Sequence, residues 1–143
     1  MPLKENMNKL LIIALLTLVA CSPSPKKESS LVIDREEKLS SGMSLVDFGP
    51  INYQKTVLKT ISIINDLSSP TGGPVTPLIA QNPNNYYSIV YKNNCDKILK
   101  PAERCTVKVQ LTNSSQGGQL QAQLVAEDLI IELTAEAEVL SAS

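Results

Sequence analysis

The 143-residue chain contains no histidine and no tryptophan, and its aromatics are four tyrosines and one phenylalanine. Without histidine, neither a Ser-His-Asp nor a Cys-His nucleophile can be assembled. Three cysteines without histidine are also too few soft ligands for a closed four-ligand zinc site. No apolar run is long enough to cross a bilayer, which takes about 20 helical residues. The longest, Leu10 to Ala20, is already interrupted at Thr17. Charge of either sign is nearly balanced, with 13 Lys and Arg against 14 Asp and Glu. That balance leaves no clustered basic footprint for nucleic acid. A Ser-Lys catalytic pair is compatible with the composition, but Ser44, Ser62 and Ser88 fall in ordinary strand and loop contexts with scattered lysines. An enzyme is therefore not expected, and no cofactor is implied.

The N-terminus is the most informative stretch. Lys4 and Lys9 precede the apolar run, which ends on the small residue Ala20, the order of regions in a secretory signal. Leu18-Val19-Ala20-Cys21 resembles the lipobox of bacterial lipoproteins. The resemblance implies a diacylglyceryl thioether on Cys21, cleavage just before it, and attachment to a membrane by acyl chains such as palmitate. Each buried CH₂ contributes about 0.8 kcal/mol, so several chains anchor stably. The alternative is an ordinary secreted protein in which Cys21 is incidental. Ser22 in place of Asp after the lipid Cys resembles an outer-membrane sorting pattern; the resemblance implies the cell envelope, with the outer membrane expected over the inner.

The chain divides into three regions: residues 1–20 as signal peptide, 21–43 as lipidated Cys and flexible tether, and 44–143 as one folded domain. Ser22 to Ser30 is polar and proline-spaced with nothing to bury, as expected of disorder. Leu31 to Leu39 reads as a turn or two of helix. Beyond Ser44 the pattern has period two. Thr60 to Ile63, Cys105 to Thr112, Leu120 to Leu124 and Ile131 to Val139 each place apolar residues on alternate positions, the pattern of strands with one buried face. Pro70 to Pro74, Asn82 to Asn85 and Ser114 to Gly118 are turn chemistries between them, and Glu127-Asp128 reads as a hairpin turn. About seven short strands without a long amphipathic helix predict an all-β, antiparallel, immunoglobulin-like β-sandwich. In an exported protein, Cys95 and Cys105 are expected to pair as a disulfide. Metal binding by the same pair is the rival reading, and it lacks further soft ligands.

The order of these pieces resembles the hydin-like immunoglobulin-type domain, the ASH or choice-of-anchor group. The resemblance rests on Asp47-Phe48-Gly49 opening a strand, on Thr60 to Asn65 as a strand ending in Asn, and on the block from Cys95 to Leu111. That block holds a Leu-x-Pro-Gly-like turn, here Leu99-Lys100-Pro101-Ala102, before the second Cys opens a strand. Asn113 and Ala135 depart from the family's Pro and Gly. The family has no common catalytic residue, so the resemblance implies a binding or spacer module.

The candidate contact residues are Tyr86, Tyr87 and Tyr91, in Tyr86 to Tyr91, where three of the four tyrosines cluster. Tyrosine buries contact area at low entropic cost. Strict alternation would put Tyr87, Ile89 and Tyr91 on one face and Tyr86, Ser88 and Val90 on the other. The competing reading is that these rings fill the core. Glu127-Asp128, or Asp47 with Asp66, offer oxygens for calcium but more often serve as turn formers; no metal site is assigned. Asn113-Ser114-Ser115 has the form of a glycosylation sequon, without meaning in a bacterial lipoprotein. The expected function is a membrane-anchored module that binds an envelope protein partner. A lipid-anchored carrier of a small ligand or metal and a lipid-anchored enzyme are the alternatives.

Overall fold

A computed structural model describes residues 33–139. Cys21 and residues 1–32, which carry the expected signal, lipid site and tether, lie outside the described residues.

Eight strands form two four-stranded sheets. They are β1 (Arg35–Lys38), β2 (Met43–Ile51), β3 (Thr56–Ile64), β4 (Leu78–Ala80), β5 (Tyr87–Asn93), β6 (Arg104–Thr112), β7 (Gly118–Ala126) and β8 (Leu129–Ala137). Sheet A has the order β1-β3-β6-β5 and sheet B the order β2-β8-β7-β4. This is an immunoglobulin-like β-sandwich. It departs from the sequence expectation in having two parallel pairings, β1 with β3 and β2 with β8.

The alternation read in the sequence becomes the core. Val107, Val109 and Leu111 of β6 in sheet A are buried between the sheets, as are Leu120, Ala122 and Leu124 of β7 and Leu129, Ile131 and Leu133 of its neighbour β8 in sheet B. Glu127 and Asp128 make the tight turn of the β7–β8 hairpin.

The Asp47-Phe48-Gly49 stretch has a local physical cause. Asp47 Oδ1 accepts the Gly49 N–H at 2.8 Å, and Gly49 takes φ +75°, a conformation disfavoured for residues with a Cβ. The pairing register of β2 against β8 shifts between Asp47 and Pro50, a β-bulge. Phe48, two residues after the buried Val46, faces the core by alternation and meets the Tyr87 ring edge-on, with centroids 5.4 Å apart; the bulge returns Ile51 to that same face.

Two wholly buried asparagines hold opposite ends of the sandwich. Asn65 donates from Nδ2 to the carbonyls of Ser69 and Leu99 and accepts the Leu67 N–H. Asn113 donates to the Ile51 carbonyl at 2.9 Å and accepts the Ser115 N–H at 2.8 Å. The Asn113 amide is thus consumed inside the fold, which removes the sequon from consideration.

The start of the domain is corrected by the structure. Residues 35–38 are not tether or helix: they form β1, in parallel register with β3 from Arg35↔Ile61 to Lys38↔Ile64. The following 3₁₀ turn, Leu39–Ser41, hands the chain from sheet A to β2 in sheet B, with Asp66 accepting from the Ser40 N–H at 3.0 Å. The sandwich therefore begins upstream of the expected boundary at residue 44. The local sequence Arg-Glu-Glu-Lys has no strand propensity of its own, so pairing with β3 decides its conformation.

The disulfide forms as expected. Cys95 is bonded to Cys105 with Cα atoms 4.8 Å apart, tying the loop after β5 to the buried face of β6.

Candidate functional site

Among the described residues β5 lies at a free edge of sheet A, with β6 on its inner side. Tyr87↔Leu111, Ser88↔Gln110 and Ile89↔Val109 pair in ordinary antiparallel register, after which the register slips by one between Ile89 and Tyr91. Val90 is the extra residue. A bulge inverts the facing of the residues beyond it, so Tyr91 comes to stand opposite Lys108 on the outer face rather than beside Tyr87 on the inner one.

The three tyrosines therefore take three roles. Tyr91 is 42% exposed and Val90 48% exposed, and both are available to a partner. Tyr86 is half-buried against the core, its main-chain carbonyl accepting from the Thr112 N–H at 2.9 Å. Tyr87 is 2% exposed. Its hydroxyl donates to the Leu120 carbonyl of the opposite sheet at 2.8 Å, and burial together with the nearby Asp47 carboxylate pushes its phenol well above the usual value of 10. Tyr87 cannot be a contact residue; it is a core ring and must be removed from the candidate set. The reason is that the bulge lies downstream of it, so it keeps the inward facing that alternation gave it.

The edge of β5 is partly closed. The Asn82 carboxamide donates to the Tyr87 carbonyl at 2.7 Å and accepts the Tyr87 N–H at 3.2 Å, occupying both outward main-chain groups of that residue. Outward groups recur at every second residue of an antiparallel strand, so the next open pair belongs to Ile89, beside the bulge. Around Tyr91 the outer face of sheet A offers Leu58, 50% exposed, and the cations Lys108 and Arg104. Arg104 is paired with Glu36 at 2.9 Å.

The carboxylates considered for calcium are engaged in turns. Asp47 serves the β2 bulge and Asp66 holds Ser40, whose two hydrogen bonds keep its carboxyl below the usual range. Among the described residues no group of three or more His, Cys, Asp or Glu is placed to hold a metal ion. An open depression of about 580 Å³ lies over the outer face of sheet B, lined by Gln81, Asn82, Gln121, Gln123 and Glu132. A carrier's pocket encloses most of its ligand's surface, and this amide-lined surface is open to one side. Sequence reasoning missed Leu58, Lys108 and Asn82. Only the register of β6 against its two neighbours brings Lys108 beside Tyr91 and sets Leu58, opposite Gln110, on the same face, and no local signal marks Asn82 as an edge cap.

No protein-family model and no curated protein matches this chain. The solved structures similar to it at low identity include the following three. The secreted serine protease VesC from Vibrio cholerae aligns with 10% identity and a TM-score of 0.47 over 68% of this chain and 22% of its own. A Porphyromonas gingivalis W83 protein of unknown function aligns with 15% identity and a TM-score of 0.45 over 67% of this chain and 44% of its own. The ASH/PapD-like domain 7 of human CEP192 aligns with 6% identity and a TM-score of 0.38 over 70% of this chain and 83% of its own. This chain thus spans less than half the length of the first two. None reaches a TM-score of 0.5, and the fold assignment rests on the two sheets themselves.

Proposed function

We propose that this chain is a non-catalytic interaction module of the bacterial cell envelope, held at a membrane through lipid on Cys21 and contacting a protein partner at the outer face and free edge of β5. The observation that carries the contact is the bulge at Val90. It turns Tyr91 outward beside Lys108 on an edge strand whose first residues are capped by Asn82 and whose later ones are open. Exposed aromatic and aliphatic side chains next to an unpaired strand edge are the elements by which sheets recruit partner segments. The anchor is supported by the lipobox-like Leu18-Val19-Ala20-Cys21. The absence of histidine and the engagement of Asp47 and Asp66 in turns support a role without catalysis.

Two experiments test the reading in the cell that exports the protein. Cys21→Ser should abolish acyl labelling and release the chain from the membrane fraction or leave it unprocessed; membrane retention without acyl incorporation in the native chain would overturn the anchor. A photo-crosslinking residue at position 91 should give a discrete adduct with a protein other than this chain, and the same residue at Gln119 on the opposite sheet should give none with that protein. Tyr91→Ala should leave the melting temperature nearly unchanged and reduce the adducts formed from position 90. Equal adducts from positions 91 and 119 would remove β5 as the contact.

A further inference from the structure

The charges of the sandwich are sorted by sheet. The strands of sheet B and its hairpin turn contain Asp47, Glu127, Asp128, Glu132 and Glu136 and not a single lysine or arginine. Every lysine and arginine placed in a described strand, among them Arg35, Lys59, Lys92, Arg104 and Lys108, belongs to sheet A. By register Arg35, Lys59 and Lys92 stand opposite the buried Ile61, Val109 and Val107, which leaves Lys38, Arg104 and Lys108 against the single carboxylate Glu36 on the outer face of sheet A, while the outer face of sheet B carries Asp47, Glu132 and Glu136.

Each face also carries apolar side chains in a coherent place. On the outer face of sheet B, one cross-strand row runs Met43↔Ile130↔Val125↔Leu78, spanning all four strands. Met43 is 68% exposed, Leu78 49%, and Leu45 in the next row 53%. Glu132 stands directly opposite Leu45, inside this apolar field. The outer face of sheet A presents Leu58 and Tyr91 around Lys108. A sheet face rarely leaves such a row to water unless it is covered in use.

We propose that copies of this chain stack head to tail, the acidic, apolar outer face of sheet B of one copy covering the basic outer face of sheet A of the next. Sign complementarity selects this arrangement over a two-fold one. Pairing sheet B with sheet B would bring Glu132 and Glu136 against their own equivalents, which like-charge repulsion disfavours. The contact is heterologous, so it leaves one free face at each end and extends beyond two copies. With strands about 4.8 Å apart and rising about 3.3 Å per residue, a face is roughly 20 by 30 Å, short of the ~800 Å² per partner of a tight complex. The association is accordingly weak and concentration-dependent. The inference shares sheet A's outer face with the proposed partner contact and rests on that face being a contact surface, but it names a different occupant.

Lys108 and Glu132 point away from each other on opposite outer faces, with both sheets between them. A zero-length carbodiimide link between them cannot form within one copy. In a mixture of isotopically light and heavy full chains at low salt, a light–heavy Lys108–Glu132 link is expected, with species heavier than a dimer in sedimentation. Glu132→Lys alone and Lys108→Glu alone should each abolish association while keeping the native melting temperature. Mixing these two variants should restore association as alternating stacks, because intact face meets intact face and the two exchanged signs meet each other. The double variant, which exchanges both signs, should associate again. A chain that stays monomeric at every concentration overturns the proposal, as does association that survives both single variants or a mixture that stays monomeric. A position-91 adduct with another protein that persists when self-association is absent would leave the partner contact standing and sink only the stacking.

Discussion

The Asn82 carboxamide and the Tyr87 main chain form a closed two-bond pair, with Nδ2 donating to the Tyr87 carbonyl at 2.7 Å and Oδ1 accepting the Tyr87 N–H at 3.2 Å. The side-chain amide does what a neighbouring strand would do, and it does so at the end of β5 where the buried Tyr87 ring joins Phe48. Asn82→Ala should cost about 1–2 kcal/mol, the net worth of two such bonds at a half-buried site. It should also accelerate hydrogen exchange at the Tyr87 amide and increase aggregation, because the open strand edge is lengthened. Unchanged Tyr87 exchange in the variant would show that the cap has no protective role.

How much of this was legible in the sequence depends on whether the determining contact was local. The strands β6, β7 and β8 were readable because each has one wet and one buried face, so period two survives in the residues themselves. The Cys95–Cys105 bond followed from the expected export and an even count. β1 was not readable: Arg35 to Lys38 is a charged tetrapeptide that becomes a strand by pairing with β3, and Glu37 is turned inward to a paired position beside Arg35. β4, at three residues, is too short to show a period. For the candidate site, alternation placed Tyr87 and Tyr91 together, and one bulged residue, Val90, separated them. Such a bulge answers to the fit of β5 on β6, which no window of β5 alone contains.

The Cys95–Cys105 bond closes a loop with a sequence separation of 10. A loop of that size is worth roughly 2–4 kcal/mol, chiefly by restricting the unfolded chain. Cys95→Ser with Cys105→Ser should lower stability by that amount in chemical denaturation, and intact-mass analysis of the native chain should show two hydrogen atoms fewer than the reduced form. Two alkylatable thiols in protein taken from the exporting cell would refute the bond.

The turn Lys100 to Glu103 is closed by the Glu103 N–H donating to the Lys100 carbonyl at 3.0 Å, with Pro101 and Ala102 at its centre. Ala102 takes φ +64°, the left-handed value that this turn type requires and that its Cβ disfavours. Ala102→Gly relieves that strain and adds some freedom to the unfolded chain, two terms of opposite sign. The relief is the larger, and a net stabilisation of about 0.5–1 kcal/mol is expected. Thermal and urea unfolding of the variant measure it, and a lower melting temperature would contradict the strain argument.

Acid should loosen the end of the sandwich where this turn and the 3₁₀ turn sit. Glu103 accepts from the Lys97 ammonium and from the Lys100 N–H at 2.8 Å, and these bonds, led by the one from Lys97, hold its carboxyl below the usual 4.5. Asp66 is held below its usual 3.8 by Ser40. A carboxyl whose folded value is depressed adds stability that is fully present above its unfolded value. That stability is lost as pH falls from there through the folded value. The melting temperature should therefore be flat from neutrality to the ordinary carboxylate range and then fall, a loss that paired Glu103→Gln and Asp66→Asn substitutions should flatten. Asp66 is exposed and Glu103 partly so, and added salt should shrink the effect by screening. A decline that begins well above the usual carboxylate values, or one the two substitutions leave unchanged, would assign the acid sensitivity to other groups.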